Sequence, residues 1–374
     1  MNKGSSYERY HRQMILPDFG TRAQKLLQES RVLVIGAGGL GCPILQYLTG
    51  AGVGCIGVVD GDQVSLSNLH RQILFTVDDI GLNKADVAVT RLRQLNPEIS
   101  IESIPTTLTN QNAFDIMDRF DIIVDGTDNF ATRYMINDAC VLLQKTLVYG
   151  AVSRYEGQVA VFNHLLSSGE RSANYRDIFP EPPKDGSVLN CADAGVLGVL
   201  PGIIGTMQAA EVIKLITGIG ELLVNRLLTY QFNDHQAFTV KISKQEQTAS
   251  WIPANQKAFK AMDYVWLCSS PKQSLEIDAA EFDQLTRQGN IDIVDVRELH
   301  ELPIVQEFSH LRIPLATMKD AIGQLKSDTV VVFCQSGKRS LQAAQELTTL
   351  WGDAKKVYSL QGGILSWITF VQKK

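Results

Sequence analysis

From Arg31 onward, short β-branched runs alternate with longer stretches in which apolar residues recur at helical spacing. The runs are RVLVIG, GCIGVVD, ISIESI, FDIIVDG and TLVYGA, and residues 83–95 (NKADVAVTRLRQL) typify the stretches between them. Runs of this kind joined by crossover helices predict a parallel sheet covered on both faces, so the first part of the chain reads as a doubly wound α/β domain. A further strand, QVAVFN, leads into residues 163–190, which are rich in Ser, Pro, Gly and charge and lack periodicity. A loop of that length in a compact domain is usually functional or disordered. The apolar segment GVLGVLPGIIGTMQAAEVIKLITG follows, and its later part predicts a buried helix. From 241 to 273 the pattern turns polar and irregular. Alternation then resumes, with a helix around 282–285, strands IDIVDV, TVVVFC and KVYSL, a helix SLQAAQELTTLW, and finally GGILSW. The expected division is a first domain over 1–245, a linker over 246–272, and a second, smaller α/β domain over 273–374.

Composition narrows the function classes. With 374 residues, 45% apolar and 20% charged, the chain is a globular protein of more than one domain. Thirty-five Lys plus Arg against 40 Asp plus Glu give a formal charge of −5, with no basic block, so no nucleic-acid surface is expected. The apolar stretch around 194–207 is interrupted by Gly195, Gly198, Pro201, Gly202 and Gly205, which argues against a helix crossing a membrane. The N-terminus, MNKGSSYERYHRQ, lacks the apolar core of a signal peptide, so a cytoplasmic location with reduced thiols is expected. The six cysteines form no C-x-x-C pair, which argues against a zinc ribbon or a dithiol redox site.

Gly36, Gly38 and Gly41 form G-x-G-x-x-G between the strand VLVI and a helical stretch, and Asp60 ends the next strand. Glycines permit a tight turn and close approach of backbone to phosphate, and an acidic residue at that distance accepts from a ribose hydroxyl. The pattern suits a Rossmann-like site for any adenine nucleotide, including NAD. Cations distinguish a reacting triphosphate, and they are available: Arg9 and Arg12 in ERYHRQ, Arg71 in SLSNLHRQ just past Asp60, and Lys84 in GLNKAD. DGTDN adds Asp125 and Asp128 at the carboxyl end of another strand. Asp125 there reads as a turn or capping residue and Asp128 as a Mg²⁺ ligand.

GAGGLG, VVDGDQVSLSNLHRQ, GLNKAD, VDGTDN and NCADAGVLGVLPGIIGTMQAAEVIKL together resemble the MoeB/ThiF branch of the ubiquitin-activating superfamily across about residues 5–245. The resemblance implies adenylation, with ATP and Mg²⁺, of the C-terminal Gly-Gly carboxylate of a ubiquitin-like sulfur-carrier protein. It also implies nucleotide roles for Gly36, Gly38, Gly39, Gly41, Asp60, Asn68, Arg71, Lys84 and Asp128, with Asp128 holding the metal. Arg12 is implied on the phosphates across a homodimer interface. Many relatives bind a structural zinc through two C-x-x-C pairs. Here the corresponding stretches read NYRD (174–177) and KISKQEQT, without cysteine, so no structural zinc is expected.

Cys334 lies in TVVVFCQSGKRS between a strand and a helix, where a loop of amides around sulfur favours thiolate or persulfide, and Lys338 and Arg339 add positive charge. The Cys334-to-Arg339 spacing, the upstream DVRE (295–298) and the downstream LQGGILSW resemble a rhodanese domain over about 273–374. Tyrosine-phosphatase loops place one more residue between Cys and Arg, so the shorter loop suits sulfur better than phosphate. The segment SHLRIPLA departs from the usual rhodanese pattern. Cys191 closes the long crossover loop, and the resemblance makes it a conjugating or resolving thiol; an inert cysteine at a helix start is the alternative.

Together these readings imply an adenylyltransferase and sulfurtransferase. The first domain makes an acyl-adenylate. A Cys334 persulfide, charged by a sulfur donor such as a cysteine desulfurase, attacks it, and a second thiol releases a thiocarboxylate for molybdopterin, thiamine or another thiolation pathway. The rival readings are an NAD-binding oxidoreductase fused to a sulfur-handling domain, and a nucleotide-gated scaffold without catalysis.

Overall fold

The computed structural model describes residues 3–180, 195–264 and 275–372. Cys191 and Cys268 lie outside the described residues. The chain divides into two compact units, Met1–Ser270 and Pro271–Lys374.

The first unit is built on an eight-stranded sheet. Its strands are β1 (Arg31–Ile35), β2 (Cys55–Val59), β3 (Ser100–Ile104), β4 (Ile122–Asp125), β5 (Thr146–Ser153), β6 (Glu156–Phe162), β7 (Arg226–Gln231) and β8 (Ala237–Lys241). Their order is β3-β2-β1-β4-β5-β6-β7-β8. The strands β3 to β5 in that order pair in parallel, and β6 to β8 continue the sheet antiparallel. The expected strands all form. RLLTYQ and AFTVK were not expected: their alternation is weak, and β8 is exposed at every position, so no buried run marks it.

Strand β1 shows why both faces are covered. Val32 and Val34 enter one core, while Leu33 and Ile35 enter the other, because alternate side chains of a strand point to opposite faces. The first core is closed by helices α1 (Gly41–Ala51), α2 (Lys84–Leu95) and α3 (Val199–Thr217). The second is closed by α4 (Ala113–Met117) and α5 (Phe130–Leu142), and by Phe259 and Tyr264. Residues 256–264, assigned above to a linker, therefore pack on the first unit. The Asn110 side chain donates to the Lys260 and Met262 carbonyls at 3.0 and 2.7 Å, and the Phe114 and Phe259 rings meet edge-on.

Helix α3 corrects one expectation. Pro201 and the glycines at 202 and 205 do not interrupt it, and it runs for 19 residues. Pro201 sits in the first turn, where no helical partner for its missing N–H is needed. Gly205 lets the helix close on its neighbour, since a Cβ there would lie 2.4 Å from the Leu40 carbonyl oxygen. The helix is long and apolar enough to cross a membrane, yet it packs against α1, β5 and β6 within the core.

The second unit has a five-stranded parallel sheet in the order β11-β10-β12-β13-β9. Its strands are β9 (Glu276–Ile277), β10 (Asp292–Asp295), β11 (Leu311–Arg312), β12 (Thr329–Phe333) and β13 (Lys356–Leu360). Helices α6 (Ala279–Gln288), α7 (Lys338–Trp351) and α8 (Gly363–Gln372) accompany it, again over two cores. The two-residue strands β9 and β11 are too short to leave a pattern in the sequence.

Candidate functional site

The carboxyl ends of β1 and β4 are adjacent, and Ile35 pairs with Asp125. A cleft opens above them, where open α/β sheets hold their ligands. Gly36, Gly38, Gly39, Asp60, Arg71, Lys84 and Asp128 all line it. Gly36 has φ +94°, and a Cβ there would lie 2.8 Å from the Gly126 carbonyl oxygen. Gly41 stands behind the loop rather than in the cleft. A Cβ on it would come within 2.0 Å of the Gly36 carbonyl oxygen, so only glycine lets the helix start this close to the turn.

Asp60 accepts from the amides of Ala37 and Asp62 at 2.8 and 2.9 Å. Burial pushes its carboxyl above the ordinary range, against the pull of those amides and Lys84. Lys84 is 5% exposed and ion-paired to Asp62 at 3.0 Å. It opens α2 behind Asn83, whose side chain accepts from the amides of Ala85 and Asp86. Arg71 is half-buried, its guanidinium 2.7 Å from the His70 ring.

Arg12 and Asn68 are not brought to the cleft. Arg12 is exposed on the N-terminal helix (Lys3–Met14), Asn68 sits in a 3-10 turn, and Cys191 is outside the described residues. Arg9 is engaged elsewhere, donating to the Leu95 carbonyl at the end of α2 at 2.9 Å. Asp125 is fully buried and does what a turn residue does. It accepts from the Thr127 amide and hydroxyl at 2.9 and 2.6 Å, and from Arg133 at 3.3 Å.

The cleft also holds residues the sequence did not single out: Gln72, Asn129, Arg133 and the turn Thr106–Thr107–Leu108. Gln72 is 4% exposed, and its side-chain carbonyl has no hydrogen-bond partner among the described residues. The Arg133 guanidinium lies over the Tyr149 ring and donates to the Thr127 carbonyl. Its position in the helical stretch FATRYM gave no signal, because only the turn of β4 into α5 brings it to the cleft.

At the foot of the crossover loop, polar groups occupy NYRD and KISKQEQT, the two stretches from which the resemblance led no zinc to be expected. Asn174 caps a 3-10 turn, Tyr175–Asp177, and Asp177 accepts from the Gln245 amide at 2.8 Å and the Thr248 hydroxyl at 2.7 Å. NYRD is thus hydrogen-bonded to the end of KISKQEQT. Beside it Arg176, 2% exposed, binds Asp138 through two bonds of 2.7 Å, and the Tyr264 hydroxyl donates to the same carboxylate at 2.9 Å. Burial pushes the Asp138 carboxyl up, and Arg176, Tyr264 and Asn137 pull against it. Removing one partner of a buried pair leaves a charge with no compensation, at a cost of about 3–5 kcal/mol. Arg176→Met is therefore expected to lower the urea midpoint of the first unit's unfolding transition well beyond the shift in a surface control, Arg22→Met.

In the second unit, the loop after β12 curls around Cys334. The Gly337 amide donates to Sγ at 3.2 Å and the Ser340 hydroxyl lies 3.5 Å away. Gly337 has φ +92° and immediately precedes α7. Burial alone would raise the thiol, but the Ser340 hydroxyl and the amides of Ser340, Ser336 and Gly337 hold it below the ordinary value. The GG of LQGGILSW packs onto this loop, since a Cβ on Gly363 would lie 2.5 Å from the Cys334 carbonyl oxygen. Arg339 is less available than expected, because Glu301 holds it through two bonds of 2.6 and 2.7 Å. The pair brings the Glu301 carboxyl down to about 2, so its charge on Cys334 is largely offset. In DVRE, Arg297 is fully buried against Asp295 and donates to the Pro303 carbonyl, so this motif anchors the loop that carries Glu301.

Comparison with known proteins agrees with this division. The ThiF family model matches residues 10–251, and that of the rhodanese-like domain matches 278–369. A sulfur carrier protein adenylyltransferase of Thermus thermophilus is 53% identical over 60% of this chain and 82% of its own length. A probable adenylyltransferase/sulfurtransferase MoeZ of Mycobacterium tuberculosis is 40% identical over 97% of this chain and 93% of its own. The adenylyltransferase and sulfurtransferase MOCS3 of Drosophila grimshawi is 39% identical over 96% and 83%. Among solved structures, E. coli MccB superposes with a TM-score of 0.56 at 22% identity, covering 65% of this chain and 72% of that one, which establishes a shared fold.

Proposed function

The chain belongs to the ThiF family and carries a rhodanese-like domain, and from this premise we propose that it couples ATP-dependent activation of a protein carboxylate to sulfur transfer. It is an adenylyltransferase and sulfurtransferase that uses ATP. Its substrate is the C-terminal Gly-Gly carboxylate of a ubiquitin-like sulfur carrier. The observation carrying the reading is the gathering of Gly36, Gly38, Gly39, Asp60, Arg71, Lys84 and Asp128 around one cleft, in a chain that also nests Cys334 among amides.

Two anions, a carboxylate and a triphosphate, must meet for the first step. Arg71 and Lys84 offset their repulsion and the glycine loop cradles the phosphates, while the carboxylate oxygen attacks the α-phosphorus and pyrophosphate leaves. Asp128 is exposed in the cleft and is suited to hold Mg²⁺, which needs only one or two protein carboxylates beside phosphate and water and supplies charge neutralisation. No zinc is required, since hydrogen bonds from Gln245 and Thr248 to the Asp177 carboxylate already join the two stretches concerned. In the second step the outer sulfur of the Cys334 persulfide attacks the acyl carbon and AMP leaves. A second thiol, Cys191 or one on another protein, then attacks Cys334 Sγ, breaks the S–S bond and releases the thiocarboxylate. The sulfur donor is a cysteine desulfurase, and the compartment is the cytoplasm, where Cys334 stays reduced.

Incubation with ATP, Mg²⁺ and candidate carriers should give carrier adenylate by mass spectrometry, and carrier thiocarboxylate once a sulfur donor is added. Failure of every Gly-Gly carrier to gain AMP would sink the reading.

Arg12, exposed outside the cleft of its own protomer, serves the cleft of a second copy. Arg12→Ala and Asp128→Ala proteins, each inactive alone, should on mixing and re-equilibration regain about a quarter of wild-type adenylation, because half of the dimers then hold one intact site. No recovery would place Arg12 in its own protomer's site or outside the reaction.

A further inference from the structure

Behind the Cys334 loop lie two hydroxyls that neither step above uses. Ser340, in the first turn of α7, and Ser359, on β13, are both fully buried. The Ser359 hydroxyl donates to the Ser340 oxygen at 2.9 Å. Ser340 Oγ in turn lies 3.0 Å from the Gly337 carbonyl oxygen and 3.5 Å from Cys334 Sγ. A hydroxyl has one proton, so Ser340 cannot serve both acceptors at once. When the sulfur is a neutral thiol, the carbonyl is the stronger acceptor. When the sulfur is an anion, the charge-assisted bond to it prevails. The Ser359 bond occupies the back of the Ser340 oxygen and turns its proton toward the loop.

We propose that Ser359, acting through Ser340, is a positioning residue for sulfur transfer: the relay Ser359–Ser340–Cys334 supplies a switchable hydrogen bond that forms as the sulfur becomes anionic. The two acceptors of Ser340 differ between the thiol and anionic states of Cys334, so the relay favours the anion without a fixed cation. That matters here because Arg339, whose charge interacts with Cys334, is tied to Glu301. The other charged groups around the loop are Glu298, the Arg297–Asp295 pair packed on Phe333, and Lys338, exposed at the start of α7. β13 and α8 bring hydroxyls, amides and apolar groups to the loop rather than charges. The proposal rests on the sulfur-transfer reading but is tested without carrier or ATP.

In the full chain, the rate of Cys334 alkylation by iodoacetamide, followed on its peptide by mass spectrometry, is measured against pH. Ser340→Ala should move the midpoint up by about one unit, the size expected for loss of one hydrogen bond to a charged group. Ser359→Ala should move it in the same direction by less, and Ser340→Thr, which keeps the hydroxyl, should restore the wild-type profile. A fall in sulfur transfer with an unchanged midpoint in Ser340→Ala would reduce both serines to packing. An unchanged midpoint in Ser359→Ala alone would remove Ser359 from the relay. Failure of the wild-type protein to take up persulfide sulfur from a cysteine desulfurase would instead count against the sulfur-transfer reading, leaving the alkylation result to stand by itself.

Discussion

Cys334→Ala is expected to leave carrier adenylation at the wild-type rate and to abolish thiocarboxylate formation. Every residue lining the nucleotide cleft comes from the first unit, whereas Cys334 belongs to the second. The two activities therefore share no side chain, and removing the sulfur cannot disturb the charges that align carboxylate and α-phosphate. What is lost is the only atom in the nest able to carry transferable sulfur. Its amides, the Ser340 hydroxyl and the helix start can stabilise an anion but cannot form the persulfide bond. Cys334→Ser should be as inactive as Ala, because an alkoxide at that position is neither accessible near neutral pH nor a carrier of sulfane sulfur. Mass spectrometry of the carrier separates the outcomes: adenylate accumulating without thiocarboxylate is expected. Thiocarboxylate formed by the Ala variant at the wild-type rate would move sulfur delivery to another protein and leave the second unit a docking module.

The cleft of the first unit was legible in the sequence wherever local chemistry dictates local structure. The glycine loop, the strand-end Asp60 and the DGTDN turn each encode their geometry within a few residues, and the sheet places them side by side. Arg133 and Gln72 were not legible. Each sits in a stretch whose pattern is that of ordinary packing, and only the tertiary fold turns it to the cleft. Asp125 and Asp128 were told apart at closer range, Asp125 being read as the turn residue that it is. Of the two carboxylates of one turn, Asp125 is fully buried and bonded to Thr127 and Arg133, while Asp128 faces the cleft. Cationic clusters misled in the other direction. Arg9 caps a helix and Arg339 answers Glu301, because an arginine's five donors find partners at distances that sequence proximity does not reveal. Strand β8 escaped for a different reason: an exposed edge needs no apolar alternation.

Asp128→Ala is expected to reduce ATP–pyrophosphate exchange by about two to three orders of magnitude, the several kcal/mol that a lost metal ligand withdraws from a phosphoryl transition state. The fold should be untouched. Among the described residues the Asp128 carboxylate makes no hydrogen bond or ion pair, and it lies exposed in a loop before Asn129, whose own side chain caps α5. Asp125→Ala supplies the contrast, because it strips a fully buried turn of its acceptor and leaves Arg133 buried with no carboxylate. That variant should lose stability and activity together, whereas Asp128→Ala should lose activity with an unchanged unfolding transition. Asp128→Asn keeps the shape and one oxygen but removes the charge, so partial exchange recovered at high magnesium would tie the defect to metal affinity. Exchange by Asp128→Ala at the wild-type rate would take the residue out of the mechanism and leave phosphate neutralisation to Arg71, Lys84 and the glycine loop.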